Sequence, residues 1–168
     1  MKEVTITIDG GEIASRIFSE SGYAALARAK SGIPEQFTDI MLATDDDRKA
    51  VGRFIADSLN EVAGIISRYM SPCTVKQCGT DGDAHSIMCL RFTIPHNCPE
   101  DIIGLLREKV ASFAAARSQQ HWMLMVKPDE ASIHLQKAQS DIMQIRELLS
   151  TRTRPVKGSA MNDNIIEL

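Results

Sequence analysis

The chain has 168 residues, 43% of them hydrophobic and 24% charged, and its formal net charge is −3. These values are ordinary for a folded domain with a sizeable core. The small negative charge gives no general attraction to nucleic acid, and no apolar run approaches the length that spans a bilayer. The first residues alternate polar and apolar side chains, unlike a signal peptide, so secretion is not expected.

Residues 1–43 are predicted to form an N-terminal extension that contains a strand and helical segments. The strand is indicated by Val4, Ile6 and Ile8, which alternate with threonines, and it ends at Asp9-Gly10-Gly11. A strand this short is not stable alone. Its partner strand must come from elsewhere in the chain or from a neighbouring subunit.

The rest of the extension has a helical composition. Residues 12–30 predict either one kinked helix or two shorter helices, because the Ser21-Gly22 pair interrupts the pattern. The sequence Ser31-Gly32-Ile33-Pro34 is a stop signal for the helix. Residues 34–42 predict a turn or a short helix.

The strongest helix signal starts the predicted core, which covers residues 44–150. Thr44 is a good N-cap, and Asp45-Asp46-Asp47 complements the positive end of the helix dipole. Ser71-Pro72 is expected to end this helix. The apolar side chains recur at three- and four-residue spacing and predict a buried stripe: Val51, Phe54, Ile55, Leu59, Val62, Ile65, Ile66 and Tyr69.

A β-hairpin is predicted next. Residues 74–79 and 86–94 have strand character, and residues 80–84 form a loop that contains glycine. In the second strand one set of alternating side chains is uniformly apolar and is expected to face the helices. This set is Met88, Leu90, Phe92 and Ile94.

Pro99 is predicted to lie in the first turn of a helix that ends at Arg117. A polar break, residues 117–121, then separates this helix from the apolar segment Trp122–Val126, which is either a plug in the core or a subunit contact. The buried stripe of the helix is predicted to be Ile102, Leu105, Leu106, Val110, Phe113 and Ala114.

Pro128 opens the third core helix, which is expected to close near residues 151–155. Residues 151–168 are predicted to be an extended tail. Its apolar ending Ile165-Ile166-Glu167-Leu168 is either a docking peptide or a chance ending. The stripe of the third helix is predicted to be Ile133, Leu135, Ala138, Ile142, Ile145, Leu148 and Leu149. The fold class is therefore α+β and mainly α: amphipathic helices packed with a β-hairpin, plus a short N-terminal strand and an extended C-terminal tail.

Four cysteines lie in the middle third of the chain: Cys73, Cys78, Cys89 and Cys98. Without a secretory signal they are expected to be reduced packing thiols. His85 and His96 in the same stretch leave a small zinc module as an alternative, but the cysteine spacings are too wide for the knuckles that usually hold zinc. We therefore expect no metal.

No catalytic motif is present: the sequence lacks a phosphate-binding loop, an HExxH helix and a nucleophile elbow. The prediction is that the protein is not an enzyme and needs no cofactor. The functional interpretation therefore rests on the order of the predicted secondary-structure elements from Thr44 to Ser150.

This pattern resembles the small head-to-tail adaptor (head-completion) proteins of tailed bacteriophages. The resemblance rests on an Asp-rich cap that starts a helix ending near an aromatic residue, on the hairpin, and on the proline-started helix that ends in Ala114-Ala-Ala-Arg117. It implies a structural virion protein. Its copies would form a ring at the neck, between portal and tail or stopper proteins, around DNA that passes without sequence-specific binding.

The resemblance also implies assembly in the host cytoplasm, no membrane association, and contacts between identical subunits. The candidate subunit-contact residues are Val4, Ile6, Ile8, Trp122, Met123, Leu124, Met125, Ile165, Ile166 and Leu168. The alternative interpretation is a cytoplasmic α+β protein-interaction or regulatory domain with no catalysis.

Overall fold

The computed structural model describes residues 2–32, 45–68, 74–78, 87–94, 99 and 101–150. It confirms the predicted fold class, since four helices pack with an antiparallel hairpin and a short N-terminal strand. None of the helices in these ranges is both long and apolar enough to cross a membrane. In chain order the elements are β1 (Lys2–Asp9), α1 (Gly10–Lys30), α2 (Asp45–Ile66), β2 (Thr74–Cys78), β3 (Ile87–Ile94), α3 (Asp101–Val126) and α4 (Pro128–Ser150).

The strands form an antiparallel sheet in the order β1-β3-β2. The N-terminal strand therefore pairs with β3 of its own chain. Val4, Ile6 and Ile8 are buried and lie opposite Phe92, Leu90 and Met88 of β3. This placement corrects the expectation that these three side chains contact a neighbouring subunit, because the apolar face of β1 already packs on the chain's own helices.

Helix α1 is continuous from Gly10 to Lys30. Its start is capped by Asp9, whose Oδ1 accepts a 2.7 Å hydrogen bond from the amide of Gly11. Ser21 does not interrupt the helix, because its hydroxyl donates to the carbonyl of Phe18 at 2.9 Å within the same turn. Gly32, with φ of +84°, follows the end of the helix in the left-handed conformation that glycine adopts easily.

Helix α2 has the apolar stripe that the sequence predicts. Its buried members are Val51, Ile55, Leu59, Val62, Ile65 and Ile66. Phe54 is half-buried and stacks on His121 of α3, with ring centroids 5.4 Å apart. The predicted cap Thr44, the aromatic Tyr69 and the stop at Ser71-Pro72 lie outside the described residues.

Helix α3 differs most from the prediction, because it continues through the expected break to Val126. The polar residues at 118–120 are buried and have partners within the fold. The Ser118 hydroxyl donates to the carbonyl of Ala114 at 2.7 Å, and the Gln119 amide group donates to the Glu20 carboxylate. The polarity of this segment marks packing against other elements, which keeps the helix intact.

Helix α3 forms the centre of the molecule, and α1 runs parallel to it. Two contacts fix this direction. Arg16 of α1 lines a cleft with Ser112 of α3. Further along both helices, Glu20 of α1 accepts a hydrogen bond from Gln119 of α3. Ala114, Ala115 and Ala116 are all buried, which means that α3 is covered on every side at its middle.

Helices α2 and α4 run antiparallel to α3. On the α2 side, Arg117 Nε donates to Glu61 Oε2 at 3.1 Å, while Phe54, earlier in α2, meets His121, later in α3. On the other side α4 returns along α3 directly after Lys127. The carboxyl ends of α1 and α3 therefore lie at the same end of the bundle as the amino ends of α2 and α4.

One hydrophobic core joins residues from β1 and α1 with residues of the predicted 44–150 unit. The predicted stripes are mostly buried. The predicted burial of Leu105 and Ile133 is wrong, because their exposed fractions are 48% and 65%. Leu105 is one residue from the buried Leu106 and therefore about 100° around α3. Ile133 lies two residues beyond the buried Ala131, which turns it to the outer face of α4.

Candidate functional site

The predicted contact segment at the end of α3 divides into an inner and an outer pair. Trp122 and Met123 are buried in the chain's own core, which corrects the expectation that they contact another subunit. Leu124 and Met125 are exposed, as a contact residue must be in the free subunit. The candidates in the tail, Ile165, Ile166 and Leu168, lie outside the described residues.

Three helices expose large apolar side chains near one end of the bundle. We define the apolar end as Tyr23 and Leu26 of α1, Leu124 and Met125 of α3, and Ile133 of α4, all of them exposed. They lie at the same end because α1 and α3 finish there and α4 begins there. Large contiguous exposed apolar patches are typical of interaction surfaces.

A cavity of about 110 Å³, lined by both apolar and polar side chains, lies between α1, α3 and α4. The lining residues are Ile17, Glu20, Ser21, Ala24, Gln119, Trp122, Met123, Glu130 and His134. Carboxylate, carboxamide, indole and imidazole groups thus meet in one small space.

Glu20 is the best-connected polar group of this cavity. Its carboxylate accepts a hydrogen bond from Arg16 Nε at 2.9 Å and another from the amide group of Gln119. Burial acts to raise the pKa of Glu20, but the hydrogen bonds from Arg16 and Gln119 outweigh it, and the pKa is lowered from its ordinary value. Glu20 is therefore ionised at neutral pH.

His134 faces Glu20 across the cavity from α4. Burial lowers the pKa of His134 below its ordinary value of 6.5, and the positive charge of Lys137 lowers it further. Glu20 and Glu130 oppose this shift without cancelling it. The imidazole is therefore neutral at neutral pH and offers one donor and one acceptor.

Two buried atoms of residues that line the cavity have no hydrogen-bond partner among the described residues: Oε1 of Gln119 and Nε1 of Trp122. Neither atom is exposed to the cavity. The orientation of the Gln119 carboxamide is fixed, since an ionised Glu20 can only accept, so Gln119 must present its NH₂ group to Glu20. What remains is one acceptor on Gln119 and one donor on Trp122. Buried polar atoms without partners are rare in folded proteins.

A second polar cluster joins α3 to α4. The Ser112 hydroxyl donates to Asp141 Oδ2 at 2.8 Å, and Lys109 Nζ lies 3.9 Å from Asp141 Oδ1. The hydroxyl donates to the carboxylate directly, and the ammonium group, too distant for a hydrogen bond, opposes its charge. This arrangement stabilises the helix pair.

The described residues contain no group of three or more His, Cys, Asp or Glu side chains that could hold a metal ion. Cys89 is a half-buried free thiol in β3, and the Cα of Cys78 lies opposite Ile87 in the β2–β3 register. The other members of the predicted Cys/His cluster, Cys73, Cys98, His85 and His96, fall outside the described ranges.

Comparisons of this chain with protein-family models, with curated proteins and with solved structures found no match.

Sequence reasoning missed the cavity. Glu20 and Gln119 are 99 positions apart, so no local spacing relates them. The sequence does contain one relevant signal, the polar run Ser118-Gln119-Gln120 inside an otherwise apolar helix. Such a run is consistent either with a break in the helix or with buried polar partners.

Proposed function

We propose that the protein is a structural virion protein of a tailed bacteriophage, a head-to-tail adaptor whose copies form a ring between portal and tail. The single observation that carries the proposal is the apolar end, where three helices expose five large apolar side chains near the same end of the bundle. The order of elements in residues 44–150, which resembles that of the adaptor family, also supports the proposal.

The apolar end supports assembly because its side chains are large and exposed. Tyr23, Met125 and Ile133 have exposed fractions of 74%, 58% and 65%. Covering apolar surface stabilises a complex by about 25 cal/mol per Å² before the costs of association. A free subunit leaves these side chains in water, whereas a subunit in a ring buries them against its neighbour.

A ring needs a contact between two different surfaces of the same chain. The second surface we propose is the tail segment Ile165-Ile166-Glu167-Leu168, which supplies three apolar side chains. In the ring the tail of one copy covers the apolar end of the next. This contact mode replaces the one expected for the apolar face of β1, which is buried in its own subunit.

The experiment that tests this function is the isolation of tailed particles from the source strain, followed by peptide mass spectrometry and cryo-electron microscopy. The proposal expects peptides of this chain in full, tailed particles. It also expects a ring of identical subunits at the neck, around the DNA channel and in contact with the portal.

Absence of the chain from tailed particles, with recovery of the protein only among the free proteins of the cell, would contradict the adaptor function. That outcome would favour an interaction or regulatory domain instead. In that case the apolar end would bind a cellular partner in place of a second copy of this chain.

A further inference from the structure

The free edge of strand β1 lacks the features that usually prevent a sheet edge from pairing. In the order β1-β3-β2, β1 has a neighbouring strand on one side only. It is 8 residues long, contains no proline, and keeps its register with β3 without a bulge from Lys2 to Asp9. Its interior, residues 4–8, carries no charge. Natural proteins usually protect sheet edges with short strands, bulges, prolines or charged side chains.

The opposite edge of the sheet has this protection, since β2 is only five residues long and Lys76 is at its centre. In an antiparallel pair alternate residues bond to the partner strand, so the other residues of β1 direct their N–H and C=O groups away from β3. No hydrogen bond joins the backbone of residues 4–8 to any described element other than β3. The β1 edge is therefore able to accept another strand.

We propose that the β1 edges of two copies of this chain pair antiparallel about a two-fold axis, so that the two sheets join into one. A two-fold contact needs a surface that is complementary to itself. Strand β1 meets this need, because apolar and polar side chains alternate on its two faces. The contact is made by backbone groups, and the apolar side chains of β1 stay buried in the core of their own copy.

The charges of β1 favour one register of this pair. Side chains on the same face of the sheet must lie opposite each other, which allows a pairing centred on Thr5 or one centred on Ile6. The Ile6 register sets Glu3 opposite Asp9 at both ends, and like charges directly opposite each other are destabilising. The Thr5 register sets Glu3 opposite Thr7, so it is the register that we expect.

The Thr5 register also brings a positive charge to a cleft of about 170 Å³ between β1, α1 and α3. Lys2 of the second copy lies opposite Ile8, which is on the helix-facing side of the sheet and lines this cleft. The lining residues are Ile8, Asp9, Glu12, Ile13, Arg16, Arg107 and Ala111. Because Arg16 is paired with Glu20, the other charges of the lining are two carboxylates and one guanidinium. This balance favours the approach of the Lys2 ammonium group.

The two-fold contact is separate from the ring contact, which uses the apolar end, and it does not depend on the proposed function. The experiment therefore uses the full chain with Leu124→Lys, which places a charge in the apolar end, so that strand pairing is measured apart from ring formation. Sedimentation equilibrium gives the dissociation constant. The expected result is a reversible dimer with twice the 18.5 kDa mass of the monomer.

Thr7 offers a matched pair of variants at one position in this chain. It is exposed, lies opposite Cys89 in its own sheet, and faces Glu3 of the second copy in the expected register. Thr7→Lys therefore sets opposite charges across the contact, whereas Thr7→Glu sets like charges there. Symmetry repeats the effect at both ends, so the Thr7→Glu dimer should be at least about fivefold weaker than the Thr7→Lys dimer.

Hydrogen exchange followed by NMR tests the backbone contact in the chain that carries only Leu124→Lys. The amides of residues 3–8 that point away from β3 should exchange slowly in the dimer and rapidly after dilution to the monomer. The proposal is overturned if this chain is monomeric at every concentration, or if these amides exchange equally fast in both states. Equal dissociation constants for Thr7→Lys and Thr7→Glu also overturn it. The exchange measurement leaves Thr7 unchanged, so it decides the question even if a Thr7 variant does not fold.

Discussion

The hydroxyl of Ser112 in α3 donates a 2.8 Å hydrogen bond to Oδ2 of Asp141 in α4. Asp141 is only 5% exposed, and Lys109 is its other polar partner, with Nζ 3.9 Å from Oδ1. A buried carboxylate is costly unless its oxygens are paired. The pairing of these two helices therefore depends on a contact between residues 29 positions apart.

Ser112→Ala should lower the free energy of unfolding by about 1–3 kcal/mol, because it removes a donor from a buried carboxylate. Chemical denaturation measures the change. The control is Ser140→Ala on the exposed side of α4, which should cost within about 0.5 kcal/mol. Equal losses in the two variants would show that the Ser112–Asp141 bond does not stabilise the helix pair.

Leu106→Ala and Ile55→Ala should each cost on the order of 2–5 kcal/mol, because both side chains are fully buried and their removal leaves a cavity. The matched control for Leu106 is its neighbour Leu105, which is exposed on the same helix. Leu105→Ala should cost far less in the same denaturation experiment. A loss at Leu105 as large as that at Leu106 would mean that the buried face of α3 is misassigned.

Local patterns in the sequence were sufficient to predict much of the fold. The alternation from Met88 to Ile94 gives the buried face of β3, and Pro128 marks the start of α4. Each of these features depends on residues close together in the chain, where alternation and capping determine local structure.

Features that depend on distant residues were not predictable in this way. The polar run Ser118-Gln119-Gln120 has the composition of a helix end, yet the side-chain amide nitrogen of Gln119 finds a partner in Glu20 of α1. Ile133 fits the helical spacing of α4, but packing against α3 selects a different face. In such cases tertiary contacts determine the structure, and the neighbouring residues in the sequence do not indicate them.

Lowering the pH through about 6.5 should reduce the free energy of unfolding. Burial lowers the pKa of His134 below 6.5 in the folded chain, so the unfolded chain binds the proton more strongly over that interval. Stability is therefore full above 6.5 and falls as the pH drops toward the lowered pKa. Denaturation of His134→Gln across this range should show a smaller fall, and an unchanged slope would contradict the assignment.

Self-association tests the central claim most directly, and α3 offers a matched pair of variants. Leu124 and Leu105 are both 48% exposed, but only Leu124 belongs to the apolar end. Size-exclusion chromatography with light scattering gives the mass at several protein concentrations. The account predicts that the unsubstituted chain and Leu105→Lys associate beyond the 18.5 kDa monomer, while Leu124→Lys shifts toward the monomer. An unsubstituted chain that stays at 18.5 kDa at every concentration, or equal masses in the two variants, would contradict it.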